Sequence, residues 1–430
     1  MTTVAQRLAG LDLAPSEDFR DAVIPDDSER LAMARSLDLE AYSDTIRVTE
    51  RARDLLGMWD RLYHEPFTGL TSDGRVESGL FELGEEGFDV EPAVAAAWHL
   101  LDELSETERA QAEHAIDARE WRGWYNPEWL INHFGLRLDA VSEPIRERAD
   151  ALMRTCLSPA GYLKVARTRS ANLYLGELYG VRHLMNEWSY HFLVFGTPSA
   201  TEPWGWSMYG HHLALNVFLR RGQIVISPTF LGVEPTVIDR GQDGDSFRLL
   251  TEEGALGLAL QQSLPAGLRR KAVIYDRMKD PAMPNGRWWF ADERHLGGAF
   301  QDNRVVPYEG IRGDALDTGR REQLIAIAER FLSYLPDGAR AARIAQIERE
   351  LSRTWWSWIG GDGDDDPFYY RLQSPVVMLE FDNHQGIWLT NAEPAKYHVH
   401  TIARTPNAGD YGRALLAQHS DRSRSDQVAS

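Results

Sequence analysis

The chain has 430 residues, 43% hydrophobic and 26% charged, the composition of a globular protein long enough for one large core or two domains. A formal net charge of −19, with basic residues only in short groups such as Arg220-Arg221 and Arg269-Arg270-Lys271, argues against nucleic acid or an anionic membrane surface as partner. Cys156 is the sole cysteine, which excludes an internal disulfide and a thiolate metal cluster.

In chain order, residues 1–27 carry Pro15 and Pro25 and read as a loosely attached arm. Residues 28–180 read as a mainly helical region. Ser28 caps a first helix, a longer one is expected over 42–63, and others over 92–104, from Ser105, over 142–155 and over 159–179. Ser158 caps the last of these and Gly180 stops it. Residues 69–87 are glycine-rich and read as a hairpin or surface loop. After Gly180 the period changes to two, and residues 181–419 read as a mixed sheet region. Strands are expected over 190–195, 204–239, 271–275, 368–373, 376–382, 386–389 and 396–404. Helices are expected over 251–263, 317–335, 338–358 and 411–419. Residues 276–318 lack periodicity and read as long connections, and 420–430 as a disordered tail. No run approaches a membrane span and the N-terminus has no long apolar segment, so a cytoplasmic protein is expected.

Two stretches carry the chemistry. The first is WGWSMYGHHLALN, starting at Trp204. Read as a continuous strand, it puts Gly210, His212, Ala214 and Asn216 on one face and His211 on the other. The second is VVMLEFDNHQGIWLTNAEPAKYHVHTIAR, starting at Val376. There Glu380 and Asp382 share one face, and His398 and His400 share a face of the next run. Strand-borne His-x-His sets two imidazoles about 6–7 Å apart, close enough to hold one ion when the rings lean together. A third ligand is expected from His212, Glu380 or Asp382. Two histidines with a carboxylate suit a catalytic zinc or non-haem iron, and three histidines suit zinc or copper. Asn216 and Asp382 are also candidates for orienting imidazoles. The plainer alternative is a set of strand histidines hydrogen-bonded to neighbours.

Other signals are weaker. His183 and Glu187 stand at helical i, i+4 spacing, which more often makes a local surface contact than a site. GGDGDDD, from Gly360, fails as a calcium loop: counted from Asp362, its sixth position is Pro367 and its twelfth Gln373. Fourteen tryptophans, many in near-pairs, either fill a core or wall a ligand pocket. No dinucleotide fingerprint, P-loop, nucleophile elbow or HExxH motif is present.

PWGWSMYGHHLALN from Pro203, SPTFLGVEP from Ser227, FYYRLQSPVVMLEFDN from Phe368 and HVHTIARTPNAGDYGRALL from His398 together resemble an uncharacterised family of bacteria and fungi, domain-of-unknown-function family thirty-five hundred. The likeness covers most of the chain from about Asp150 onward. Tyr397 precedes His398 where the resemblance implies an asparagine. No activity comes with the resemblance, so it strengthens the choice of residues and leaves the reaction to them.

The expectation is an α+β protein, an N-terminal helical region packed on a predominantly antiparallel sheet with helical insertions. The favoured function is a metal-dependent enzyme acting on a small organic substrate, with hydrolysis by metal-activated water ahead of iron or copper oxidation. His212, His398, His400 and Glu380 are the expected ligands of a divalent zinc, iron or copper ion. Glu380, His212 and Asp382 are the expected catalytic groups. Arg404, Arg371, Trp206, Asn216 and His211 are expected to contact the substrate. The competing readings are acid–base catalysis by Glu380 and His212 without metal, and a non-catalytic protein whose tryptophan-rich pocket holds a small ligand. A homo-oligomer is left open.

Overall fold

The computed structural model describes residue 8, residues 13–239 and residues 246–429, the side chains of 423–429 excepted. Residues 1–7 and 9–12 of the expected arm and Ser430 of the expected tail lie outside the described residues.

Helix starts follow the capping side chains. Ser28, Asp38 and Thr49 accept from backbone N–H groups at the starts of α1 (Glu29–Ser36), α2 (Leu39–Arg47) and α3 (Glu50–His64). The single helix expected over 42–63 is therefore two, because the Thr49 hydroxyl caps a fresh start. Then come α4 (Glu91–Glu103) and α5 (Glu106–Ala112), the latter with a capping box between Ser105 and Glu108. Short strands β1 (Glu113–His114) and β2 (Leu136–Arg137) precede α6 (Glu143–Cys156) and α7 (Pro159–Tyr179). Gly180, at φ 71°, ends α7 as expected. The segment expected as a loose arm buries Phe19 and Ile24 in the main core.

The sheet region runs β3 (Tyr190–Phe195), β4 (Trp204–Gly210), β5 (Leu213–Arg220), β6 (Gln223–Val233), β7 (Val237–Ile238) and β8 (Phe247–Arg248). Next are α8 (Thr251–Ser263), α9 (Ala266–Ala272), β9 (Val273–Tyr275), β10 (Ile311–Arg312), α10 (Thr318–Phe331) and α11 (Asp337–Arg349). The chain closes with β11 (Trp355–Gly360), β12 (Phe368–Gln373), β13 (Met378–Asn383), β14 (Val399–Arg404) and α12 (Arg413–Ala429). Among the described residues twelve strands form one sheet in the order β1-β3-β4-β5-β6-β14-β13-β12-β11-β10, with β2 on β3 and β9 on β11. All pairings are antiparallel except β1 with β3 and β9 with β11. The fold is α+β.

Burial explains where the periodicity misleads. Strands β3, β4, β5, β12, β13 and β14 are buried along their whole length, so both faces are covered and polar alternation is weak. Five further expectations need correction. The stretch 210–216 is not one strand: β4 and β5 are joined by a two-residue turn at His211-His212, with His212 left-handed at φ 60°. The expected helix to 358 stops at Arg349, and Trp355–Gly360 is a strand whose Trp356 and Trp358 lie against Tyr370. Residues 386–389 make no strand, because the backbone amides of 387–389 turn onto the Glu234 carboxylate. The helix expected over 411–419 runs to Ala429. His183 and Glu187 lie beyond the end of α7 and off any helix, and His183 contacts the Ala34 carbonyl oxygen instead.

Candidate metal centre

The middle of the sheet, β6–β14–β13, gathers six buried histidines. His211 and His212 come from the β4–β5 turn, His398 and His400 from β14 and the residue before it, and His384 from just past β13. His295 arrives on the aperiodic connection between β9 and β10.

On β14 the two imidazoles lean together, with His398 Nε2 3.0 Å from His400 Nε2. Two nitrogens sharing one tetrahedral ion at zinc–nitrogen bond lengths lie about 3.3 Å apart. The pair therefore stands close to ligating separation. His398 Nδ1 is 2.6 Å from the Gln385 carbonyl oxygen, which assigns the proton to Nδ1 and leaves the Nε2 lone pair facing the site. Behind it, Glu234 Oε1 lies 3.7 Å from His398 Nδ1.

His212 completes the set. The ligating nitrogens of His212, His398 and His400 lie within 4.8 Å of one another. His212 is held through both of its backbone groups: its N donates to Asn126 Oδ1 at 3.2 Å, and Gly232 N donates to its carbonyl at 2.8 Å. Gly232 faces His400 across the β6–β14 ladder, and a Cβ there would fall 2.6 Å from His212 Cδ2 and 2.9 Å from His400 Cδ2. Glycine is what lets the two rings approach. His211 stacks on His212 at 4.0 Å and bonds Asn172 Oδ1 through Nδ1 at 2.9 Å, so it supports the ring that enters the site.

Burial, reinforced by the neighbouring imidazoles, holds His212 and His400 well below the usual histidine range. Burial lowers His211 to about 4. These rings are neutral at pH 7, the form that binds a metal ion.

The carboxylates do something other than expected. Glu380 Oε1 and Oε2 accept from the amides of Leu296 and Gly297 at 2.8 Å, and Tyr369 donates to Oε1 at 2.6 Å. Burial raises Glu380, but His295, Tyr369 and Arg371 outweigh it and hold the carboxyl at about 2. Asp382 takes Arg294 Nε at 2.6 Å, and Arg294 also pairs with Glu293 and donates to the carbonyls of Asn383 and Met278. Neither carboxylate joins the His212–His398–His400 set.

The expected substrate contacts are occupied inside the protein. Arg404 bonds the carbonyls of Gly297 and Gly298 and pairs with Asp302 and Asp410. Arg371 holds Glu309 and the Pro307 carbonyl. Glu380, Arg404 and Arg371, all on central strands, thus clamp one connection, residues 276–310, across the sheet. Trp206 stacks on Phe192 and donates to Cys156 Sγ, deep in the core. Asn216 sits in a β-bulge, accepts from Ser207 and donates to the Pro228 carbonyl. His295, His384, Glu293 and Glu234 were not singled out from the sequence. His384 had a signal, since it continues the alternation of Glu380 and Asp382; His295, in an aperiodic segment, had none.

Residues 86–413 match the model of a family described as protein of unknown function (DUF3500). The chain belongs to that family. The DUF3500 match takes in all six clustered histidines and the clamped connection. No curated protein and no solved structure matches this DUF3500 chain. Among its described residues no helix is long and apolar enough to cross a membrane.

Proposed function

We propose that this DUF3500 protein is a metal-dependent enzyme acting on a small organic molecule, with hydrolysis as the reaction class. The observation that carries this reading is the convergence of three buried imidazoles, two of them with nitrogens 3.0 Å apart. An all-imidazole set suits zinc or copper, and three protein ligands leave a coordination position for water or substrate. An ion held there supplies a Lewis acid able to activate water near neutral pH.

The chain's own residues prepare that position. Gln385 fixes the His398 tautomer, Asn172 and His211 brace His212, and Gly232 keeps the gap between the rings. Glu380, ionised and held by two amides and a phenol, is a poor proton acceptor at pH 7, and we assign it to positioning His295 and its loop rather than to general-base work. Nine of the fourteen tryptophans are buried in the core, which favours the metal reading over a tryptophan-walled binding pocket.

The test is elemental analysis of the purified protein beside its His212→Ala variant. At least one zinc or copper per chain is expected, falling by one in the variant while circular dichroism is unchanged. A wild-type chain that neither carries nor takes up zinc, copper or iron overturns the reading.

A further inference from the structure

His212, His398 and His400 account for half of the histidine cluster. The other half is built as deliberately. His295 and His384 are 1% and 3% exposed, and their rings lie 5.5 Å apart, nearly parallel. Ligating nitrogens of His295, His384 and His400 lie within 4.8 Å of one another. Neither ring nitrogen of His295 has a hydrogen-bond partner, nor does His384 Nε2, which faces Asp382 Oδ2 at 3.1 Å out of hydrogen-bond alignment. Buried polar atoms left unpaired are destabilising, so three in one place call for a ligand.

Charge points the same way. Glu293, Asp382 and Glu380 are buried around these rings, and among the described residues Arg294 is the one arginine or lysine paired with any of these three carboxylates. Arg294 serves Glu293 and Asp382, which leaves the acidic triad Glu293–Asp382–His384 already filled by a guanidinium. Glu380 has only amides, a phenol and His295 Nδ1 at 3.8 Å. A cation beside His295 would add to the amides, phenol and imidazole that already hold Glu380.

We propose a second metal site, a divalent first-row ion held by His295 and His384, with His400 shared between the two sites. His400 Nε2 is committed to the first set by its approach to His398, so Nδ1 is the nitrogen left for the second. The Arg294 guanidinium takes Asp382 Oδ1, whereas Oδ2 accepts only the Arg294 amide and lies 3.1 Å from His384 Nε2, so it is the oxygen offered to the second site, whose mixed nitrogen and oxygen character suits zinc, manganese or iron. The proposal extends the single-ion reading and rests on it for the first site. Sharing requires His400 to give up both ring protons, and ions on opposite nitrogens of one imidazole stand farther apart than the about 3.5–4 Å at which two ions clamp a single displacement, so the second ion would bind or orient substrate beside the first.

The test is metal stoichiometry by elemental analysis on wild type, His384→Gln and His212→Gln, each checked for fold by circular dichroism. Two ions per chain in wild type and one in His384→Gln are expected. Should either variant fail to fold, titration of metal-stripped wild type with cobalt(II), followed by its visible absorption, is expected to saturate at two equivalents. One ion in wild type, lost in His212→Gln and kept in His384→Gln, overturns the second site and leaves the first standing, with His295 as an imidazolium partner for Glu380. One ion lost only in His384→Gln overturns the first site and with it the pair, leaving the His295–His384 set alone, and none in wild type overturns both.

Discussion

The two halves of the histidine cluster are assembled in opposite ways. His212, His398 and His400 are placed by the sheet itself: a ladder position, its i−2 neighbour and a hairpin turn bonded to the next strand. His295 sits on a long connection with no regular structure of its own, and charged strand residues hold that connection down. Glu380 binds its amides, Arg404 its carbonyls, and Asp382 receives Arg294 from it. One half is set by backbone pairing, and the other by buried ion pairs whose loss frees a loop.

The largest effect that would sharpen this contrast comes from Arg294→Met. It leaves Asp382 and Glu293 buried without their cation, for an expected loss of about 3–5 kcal/mol by urea denaturation. Limited proteolysis should cut first within 276–310 while the β6–β14–β13 core resists. Cleavage spread evenly over the chain would show that the loop is not a separately clamped unit.

Gly232→Ala attacks the strand half. The new Cβ meets both rings, so an expected cost of about 1–3 kcal/mol should accompany loss of the ion at His212, with little change in proteolysis of 276–310. Undiminished metal content in this variant would mean that the rings do not converge as described.

A smaller effect separates site histidines from ordinary buried ones. His191 lies on β3, its Nδ1 2.8 Å from the Phe134 carbonyl oxygen and its Nε2 2.8 Å from the Tyr125 hydroxyl, and burial holds it near 3. The unfolded state binds more protons than the folded one between about pH 6.5 and that value. Stability is therefore full above about 6.5 and falls as pH drops, by about 1.4 kcal/mol per pH unit for each such ring. His191→Gln should flatten the slope between pH 6.5 and 5 by that amount, with metal content unchanged at pH 7.5. An unaltered slope would place the acid sensitivity elsewhere.

How much was legible in the sequence follows the same division. Capped helices and the His-x-His spacing could be read because local chemistry sets them: Ser158 and Gly180 mark the ends of α7, and alternation puts His398 and His400 on one side. His212 was found for a partly mistaken reason, since it enters from a turn and not from a strand face. Glu380, Arg404 and Arg371 read as charged residues on apolar strands, but the loop groups they hold lie 62 to 107 positions away in an aperiodic segment. Nothing local to residues 276–310 signals that His295 is carried to the centre. Trp206 and Asn216 were drawn toward the site by sequence proximity, and the sheet turns them into the core and a bulge.

The most direct measurement is an anomalous difference map at the zinc edge from crystals grown with zinc. A metal centre here predicts a peak enclosed by the imidazoles of His212, His398 and His400. A map with no peak there, or with peaks only at exposed carboxylates, would contradict it.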